Sequence, residues 1–582
     1  MKTKKHVILR LGKYMFQFKW LLLLALLLTI GSNLLALLGP QLSGQAIDAA
    51  AGGAGKVDFP TVFRYAGWMA LFYVISAVMA YLLQILMIYI ARQVTFRLRQ
   101  DLFNSLAALP VGFYDSHAPG DILSRISYDA DNISESLSSD VVSVLASVIT
   151  VAGSLYMMLR ISPPLLLVFA ITLPLSVFLT RFITKRTRPL FRRRSQKLGE
   201  LNDFVEEKIS GQKTLKSYNQ EKNVLRDFDA EDETVVEAYY KAEYYGSTMG
   251  PSVNLINNLS LALISALGAI IYILSGGMKI SIGKISSFVL YSRKFSGPIN
   301  EIANIYSDLQ SALAAAERIF SLMDEKPEAP DPADACAIEV VKGAVALSHV
   351  SFGYTPEKEI LHDFSLVAEP GRMIAVVGPT GAGKTSLINL LMRFYEIDAG
   401  TMTLDGKNIK TITRSSLRLS YSMVLQDTWL FYGTIYDNIA YGRPDATREE
   451  IIDAAKAAGV HSFIQALPQG YDTILTDDAA NISKGQKQLL TIARAMLMNC
   501  SMLILDEATS NVDTRTEKLV QRAMRELMKE KTCFVVAHRL STIRDADLIL
   551  VVRDGAIVQR GTHHELMRDG GFYQELYNAQ FE

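Results

Sequence analysis

The stretch Met373–Leu391, MIAVVGPTGAGKTSLINLL, decides the fold of the C-terminal half of the chain. A short apolar run rich in β-branched residues enters a glycine-rich turn, and the turn opens an amphipathic helical pattern. The turn holds Gly378-x-x-x-x-Gly383-Lys384-Thr385, the P-loop spacing. A strand that passes into a helix through glycines lets successive backbone N–H groups wrap a phosphate chain, because side chains there would block the approach. Lys384 would then reach the β- and γ-phosphates, and the Thr385 hydroxyl would ligate Mg²⁺. Pro379, Thr380, Gly381, Ala382 and Ser386 complete the candidate phosphate cradle, so ATP and Mg²⁺ are the expected cofactors.

At 582 residues, 49% hydrophobic and only 20% charged, the chain is too long for one core and too apolar for an ordinary soluble protein. Lysine plus arginine balance aspartate plus glutamate at 59 each, which gives no electrostatic case for nucleic acid as a partner. Cys336, Cys500 and Cys533 are far apart and lack metal-ligand spacing, as inert thiols of a reducing compartment would.

The apolar excess lies in the first half. Lys2, Lys4, Lys5, Arg10, Lys13 and Lys19 among apolar residues read as an interfacial helix, and they place the N-terminus in the cytoplasm. Charge-free runs at Trp20 to Ile47, Tyr65 to Ala91, Val141 to Leu159, Ile161 to Thr180 and Tyr244 to Met278 are each long enough to cross a bilayer. A sixth span begins at Ile285, is interrupted by Arg293 and Lys294, and resumes from Phe295 to Ala315. An even count returns the chain to the cytoplasmic side, as the basic cluster Arg181 to Lys197 after span four also implies. The segments after spans two and four carry charged helical patterns of roughly 50 and 60 residues; folded as helix pairs they make stalks. Breaks near Pro110, Gly112, Pro119 and Gly120, and near Gly211, mark the stalk tips.

Charge inside a span is costly and usually faces a water-filled path. Arg293 is therefore a candidate lining residue of a substrate cavity, favouring substrates with an anionic or polar group. The alternative is that Arg293 and Lys294 both snorkel to an interface, or pair with Glu301 or with an acid of a partner.

The proline- and charge-rich residues 326–336 form a linker, and short apolar runs alternating with amphipathic helices mark an α/β domain over 337–582. Within it Met502 to Glu507 reads as a buried strand ending in two carboxylates: Asp506 would serve the Mg²⁺ shell and Glu507 would polarise the attacking water. His538 follows the apolar strand Cys533 to Ala537, at a strand end where ligands gather in parallel sheets.

The domain resembles the ATPase domain of ABC transporters, and almost the whole chain resembles a half-size bacterial type IV ABC exporter of the multidrug kind. Ser351-Phe352-Gly353-Tyr354 matches the A-loop, Gln426 the Q-loop, Asn481 to Gln486 the signature, Ser510 to Asp513 the D-loop and His538 the switch histidine. The resemblance implies a multidomain fold: a six-helix α-helical transmembrane domain (1–325) fused through 326–336 to an α/β P-loop ABC nucleotide-binding domain (337–582). It implies that Tyr354 stacks on adenine and that Gln426 joins Thr385 and Asp506 near Mg²⁺. It also implies that Ser483, Gly485 and Gln486 address the γ-phosphate held by the opposite subunit, with Asp513 beside that interface. The stalk tips match the family's coupling helices.

Two departures stand out. Lys484 replaces the first glycine of the usual LSGGQ, and Thr476 to Ala480 lacks the glycines and glutamate usual before it. Both resemble the subunit of a heterodimeric exporter, so a second, different half-transporter is the expected partner ahead of a second copy. The function implied is ATP-driven export of amphipathic small molecules, drugs or lipids, across the cytoplasmic (inner) membrane by alternating access. A peptide exporter, or a membrane module that signals with ATP and moves nothing, is the alternative.

Overall fold

The computed structural model describes residues 2–51, 57–425, 428–476, 481–506, 514–536 and 543–581. Contacts divide it into two units, Met1–Ala107 with Pro119–Glu325, and Ala108–Ala118 with Lys326–Glu582.

The first unit is all helix, as hydrocarbon demands of a chain that has no water to satisfy its backbone. Lys2–Phe16 precedes five helices long and apolar enough to cross a membrane, Lys19–Ala50, Phe59–Ala107, Pro119–Ile161, Pro163–Ser210 and Glu221–Leu274. The expected boundary between spans three and four is real: Ser162 is extended, and Pro163 opens the next helix, where a missing N–H costs nothing. Spans two to five run on beyond the apolar windows as stalks. Short helices Val111–Ser116 and Gln212–Ser217 sit at the two expected tips.

The sixth helix, Ile282–Met323, continues through Arg293 and Lys294 without a break. Lys294 finds its partner in the first span, where Pro40 lies inside the continuous helix Lys19–Ala50. Proline has no N–H to offer the carbonyl four residues earlier, which is that of Ala36. Lys294 Nζ donates to the Ala36 carbonyl at 2.8 Å, Tyr291 Oη to that of Leu37 at 2.6 Å, and Ser287 Oγ to that of Pro40 at 2.8 Å. Lys294 thus neither snorkels nor seeks an acid; it caps the carbonyl that the proline released. Near the start of the sixth helix Asp48 accepts from Ser281 Oγ at 2.6 Å and from Gly283 N at 2.8 Å, a carboxylate at a helix N-terminus. Gly44 and Gly283 meet backbone to backbone, with no room for a Cβ on either.

Among the described residues the second unit holds three sheets, the smallest a two-stranded pair of Gly433–Thr434 with Ile474–Leu475. The largest has the spatial order Ala556–Gly561, Leu548–Arg553, Met373–Val377, Thr532–Val536, Met502–Asp506, Tyr421–Val424, parallel except at the Ala556–Gly561 edge. Thr532–Val536 is buried at every position, and Met373–Val377 at all but its first, because both faces of the sheet are covered. Ala375, Val377, Leu503 and Leu505 point to one face, against Leu489, Leu490 and Ile492 of the helix Lys484–Met498. Ile374, Val376, Ile504 and Phe534 point to the other, against the antiparallel sheet of Val345–Phe352, Leu361–Ala368, Ala399–Leu404 and Lys407–Asn408. Cys500 and Cys533 are both buried, and burial raises their thiols to about 11 and about 12, out of reach of thiolate chemistry.

The linker is pinned. Glu328 pairs with Arg418, and Asp331 with Arg414 at 3.0 Å. Arg414 also donates to the Ala329 carbonyl at 2.6 Å, so the proline-rich stretch is clamped rather than loose.

Substituting Gly283 by Leu should force the first and sixth helices apart. Overpacking of this kind costs about 1–3 kcal/mol, seen as a lowered thermal midpoint of the detergent-purified protein. An unchanged midpoint would show that the backbone contact does not hold the pair.

Candidate nucleotide site

The P-loop emerges from the carboxyl end of Met373–Val377, the third strand of the largest sheet. Gly381 and Gly383 adopt φ of +85° and +100°, left-handed conformations that glycine enters without strain. A Cβ on Gly383 would lie 2.7 Å from Leu361 Cδ2, and one on Gly378 would run into the Val552 carbonyl. The loop therefore keeps its bare backbone for two separate reasons, dihedral and steric. Gly383 caps the helix Lys384–Leu391, which begins at the loop and turns the positive end of its dipole toward it.

Lys384 folds back over the turn, its Nζ donating to the Gly378 carbonyl at 2.7 Å and the Pro379 carbonyl at 2.9 Å. Burial lowers its pKa, while the Asp506 carboxylate opposes that shift. An ammonium held by two carbonyls can exchange them for phosphate oxygens without leaving the loop. Asp506 ends Met502–Asp506, two strands away at the same carboxyl edge, paired with Val536 of the intervening strand. Thr385 is exposed in the first turn of the helix.

Glycine cradle, lysine and strand-end carboxylate are together a donor set for a nucleoside triphosphate. Among the described residues no group of three or more His, Cys, Asp or Glu forms a metal cage.

Tyr354 stands past the end of Val345–Phe352, half exposed. Its hydroxyl lies 3.1 Å from Ser386 Oγ and accepts from Asn389 Nδ2 at 3.1 Å, which ties it to the P-loop helix. Asn389 and Tyr395 beside it were not singled out by sequence. For Asn389 a signal existed: it lies one helical turn after Ser386.

The signature residues form a cluster of their own. Ser483 caps the helix Lys484–Met498, its Oγ accepting from Gln486 N while Gln486 Oε1 accepts from Ser483 N at 2.9 Å. Gly485 is buried in the first turn, and Lys484 is the exposed first residue of the helix. Gln426, Glu507, Asp513 and His538 lie outside the described residues. Arg293, in the other unit, is exposed on the sixth helix. A cavity of about 20 Å³, room for one water, sits among Thr172, Ser176, Asn257, Ser260 and Ser296, and Arg293 does not line it.

Residues 22–299 match the ABC transporter transmembrane region family and residues 361–510 the ABC transporter family. An uncharacterized ABC transporter ATP-binding protein of Bacillus subtilis (strain 168), YfiC, is 41% identical over 100% of this chain and 95% of its own length. A fatty acid ABC transporter ATP-binding/permease protein of Mycobacterium bovis is 43% identical over 90% of this chain and 82% of its own. The putative multidrug export ATP-binding/permease protein YgaD of B. subtilis is 33% identical over 93% of each. The solved structure of a bacterial Atm1-family ABC exporter with ATP bound superposes with a TM-score of 0.75, at 29% identity, covering 96% of this chain and 97% of that one.

Gly383→Ala should cost about 1–2 kcal/mol in the left-handed conformation alone, and more against Leu361. Binding of a fluorescent ATP analogue should weaken roughly tenfold. Affinity within twofold of the parent would mean that the loop tolerates a Cβ and the cradle is not as drawn.

Proposed function

Because this chain belongs to the half-size ABC exporters, membrane ATPases in which ATP hydrolysis is coupled to export, we propose that it moves amphipathic small molecules, drugs or lipids, out across the cytoplasmic membrane by alternating access. The observation that carries this reading is the P-loop with its strand-end carboxylate, fused behind helices long enough to span a bilayer. The names of the relatives, fatty acid and multidrug, are both compatible with it.

On this reading Lys384 and the N–H groups of Gly378 and of Thr380 to Ser386 hold the triphosphate, and Tyr354 stacks on the base. Thr385, Gln426 and Asp506 hold Mg²⁺, which supplies compensation for the charge of the transferred group. Glu507 polarises the attacking water, and His538 holds that end of the site. Ser483, Gly485, Gln486 and Asp513 act across to the opposite subunit. The N-terminus and the ATPase unit are cytoplasmic, where ATP is.

Lys484 in the signature supports a heterodimer over a homodimer. ATPase of the purified protein alone should be weak, and should rise at least tenfold on co-expression with the half-transporter of an adjacent gene; Glu507→Gln should then silence the pair while sparing ATP binding. Robust activity alone, at the size of two copies, would establish a homodimer.

Arg293, exposed on the sixth helix, is assigned to the substrate path. Vesicles carrying Arg293→Ala should lose preference for anionic over cationic dyes, and unchanged selectivity would remove it from the path.

A further inference from the structure

The short helix Val111–Ser116 belongs by its contacts to the ATPase unit, although it lies in sequence between spans two and three. Tyr395 touches it at two points. Tyr395 Oη donates to Asp115, and Gly112 lies so close to the Tyr395 ring that an added Cβ would be 2.9 Å from Cε1. The Ala108 carbonyl just before the helix accepts from Glu328 N at 2.8 Å, so the clamped linker holds its entry.

Tyr395 has a second neighbour. Its ring stands edge-on to that of Tyr354 at 4.9 Å and 86°, and Phe352 closes the triangle at 5.0 Å from Tyr354 and 5.7 Å from Tyr395. Edge-to-face rings at these separations constrain one another, because rotating one drives its edge into the face of the next. Tyr354 is anchored at its hydroxyl by Ser386 and Asn389 of the P-loop helix. A planar base laid on its exposed face needs the phenol flat against it, and the adjustment falls on Tyr395. Tyr395 cannot yield freely, since its hydroxyl is committed to Asp115; burial and that carboxylate both raise its pKa, so the proton stays on the phenol.

We infer that Tyr395 is a positioning residue that reports the nucleobase, as distinct from the triphosphate, to the helix Val111–Ser116 through the Tyr354–Tyr395–Asp115 contact. The inference rests on Tyr354 being the base platform proposed above. The ligand class it reads is a planar purine carried on a triphosphate. A bare polyphosphate satisfies the P-loop yet leaves the aromatic triangle undisturbed. The helix is joined by the chain itself to both Phe59–Ala107 and Pro119–Ile161.

The test is hydrogen exchange of residues 108–118 in the full-length protein in lipid nanodiscs, with Mg²⁺ and either ATP or inorganic tripolyphosphate. ATP should change the exchange rates of this segment at least threefold, and tripolyphosphate should leave them within experimental scatter. Tyr395→Phe keeps the ring and removes the bond: it should bind a fluorescent ATP analogue within twofold of the parent while the ATP response at 108–118 disappears. Asp115→Asn, which still accepts from the phenol, should retain the response, and Asp115→Ala should lose it. An equal response to tripolyphosphate, or a full response in Tyr395→Phe, overturns the inference. Tyr354→Ala separates the two ideas: ATP binding unaffected by that change defeats the base platform itself, whatever Tyr395 does.

Discussion

In a bilayer no water stands ready to satisfy a stray carbonyl, and Pro40 creates one in the first span. The membrane unit settles this with side chains of the sixth helix: Lys294, Tyr291 and Ser287 donate in turn to the backbone of residues 36, 37 and 40. The spacing of 287, 291 and 294 places them on one stripe, so a single helix face does the work. Asp48 and the Gly44–Gly283 approach hold the other end of the same pair. Two helices distant in sequence are thereby joined by polar bonds, which lipid does not compete for.

The ATPase unit obeys a different constraint. Its parallel strands are buried on both faces, so chemistry is confined to the edge where strands end and loops begin. The P-loop and Asp506 share that edge because Met373–Val377 and Met502–Asp506 both pair with Thr532–Val536 in parallel register. The Lys384 ammonium resting on the Gly378 and Pro379 carbonyls shows a loop already shaped around a small charged object.

The two units differ in what their sequences disclose. Hydropathy marks which segments hold the long apolar helices, since hydrocarbon accepts only such helices, but it does not mark where those helices end. The turn chemistry of Pro163 and the glycines of the P-loop are equally plain, because each depends on a local dihedral or a missing atom. Lys294 was ambiguous: its charge suggested a path or an interface, and nothing near it in sequence names Pro40 as the cause. Tyr395 gave no signal at all, being one aromatic among many with no periodic or motif context.

The sequence by itself determined a membrane part of apolar helices, a P-loop α/β part, the order in which they are fused, and the candidate residues Lys384, Thr385, Asp506 and Tyr354, all through patterns a few residues long. Only the tertiary structure decided that Lys294 caps the first span across 258 positions, that residues 108–118 belong to the ATPase unit, and that Tyr395 meets Asp115 across 280. The physical reason is one of range. Propensity, hydropathy and turn geometry act between neighbours and leave periodic traces, whereas the partner of a buried polar group is chosen by whichever chain folds beside it.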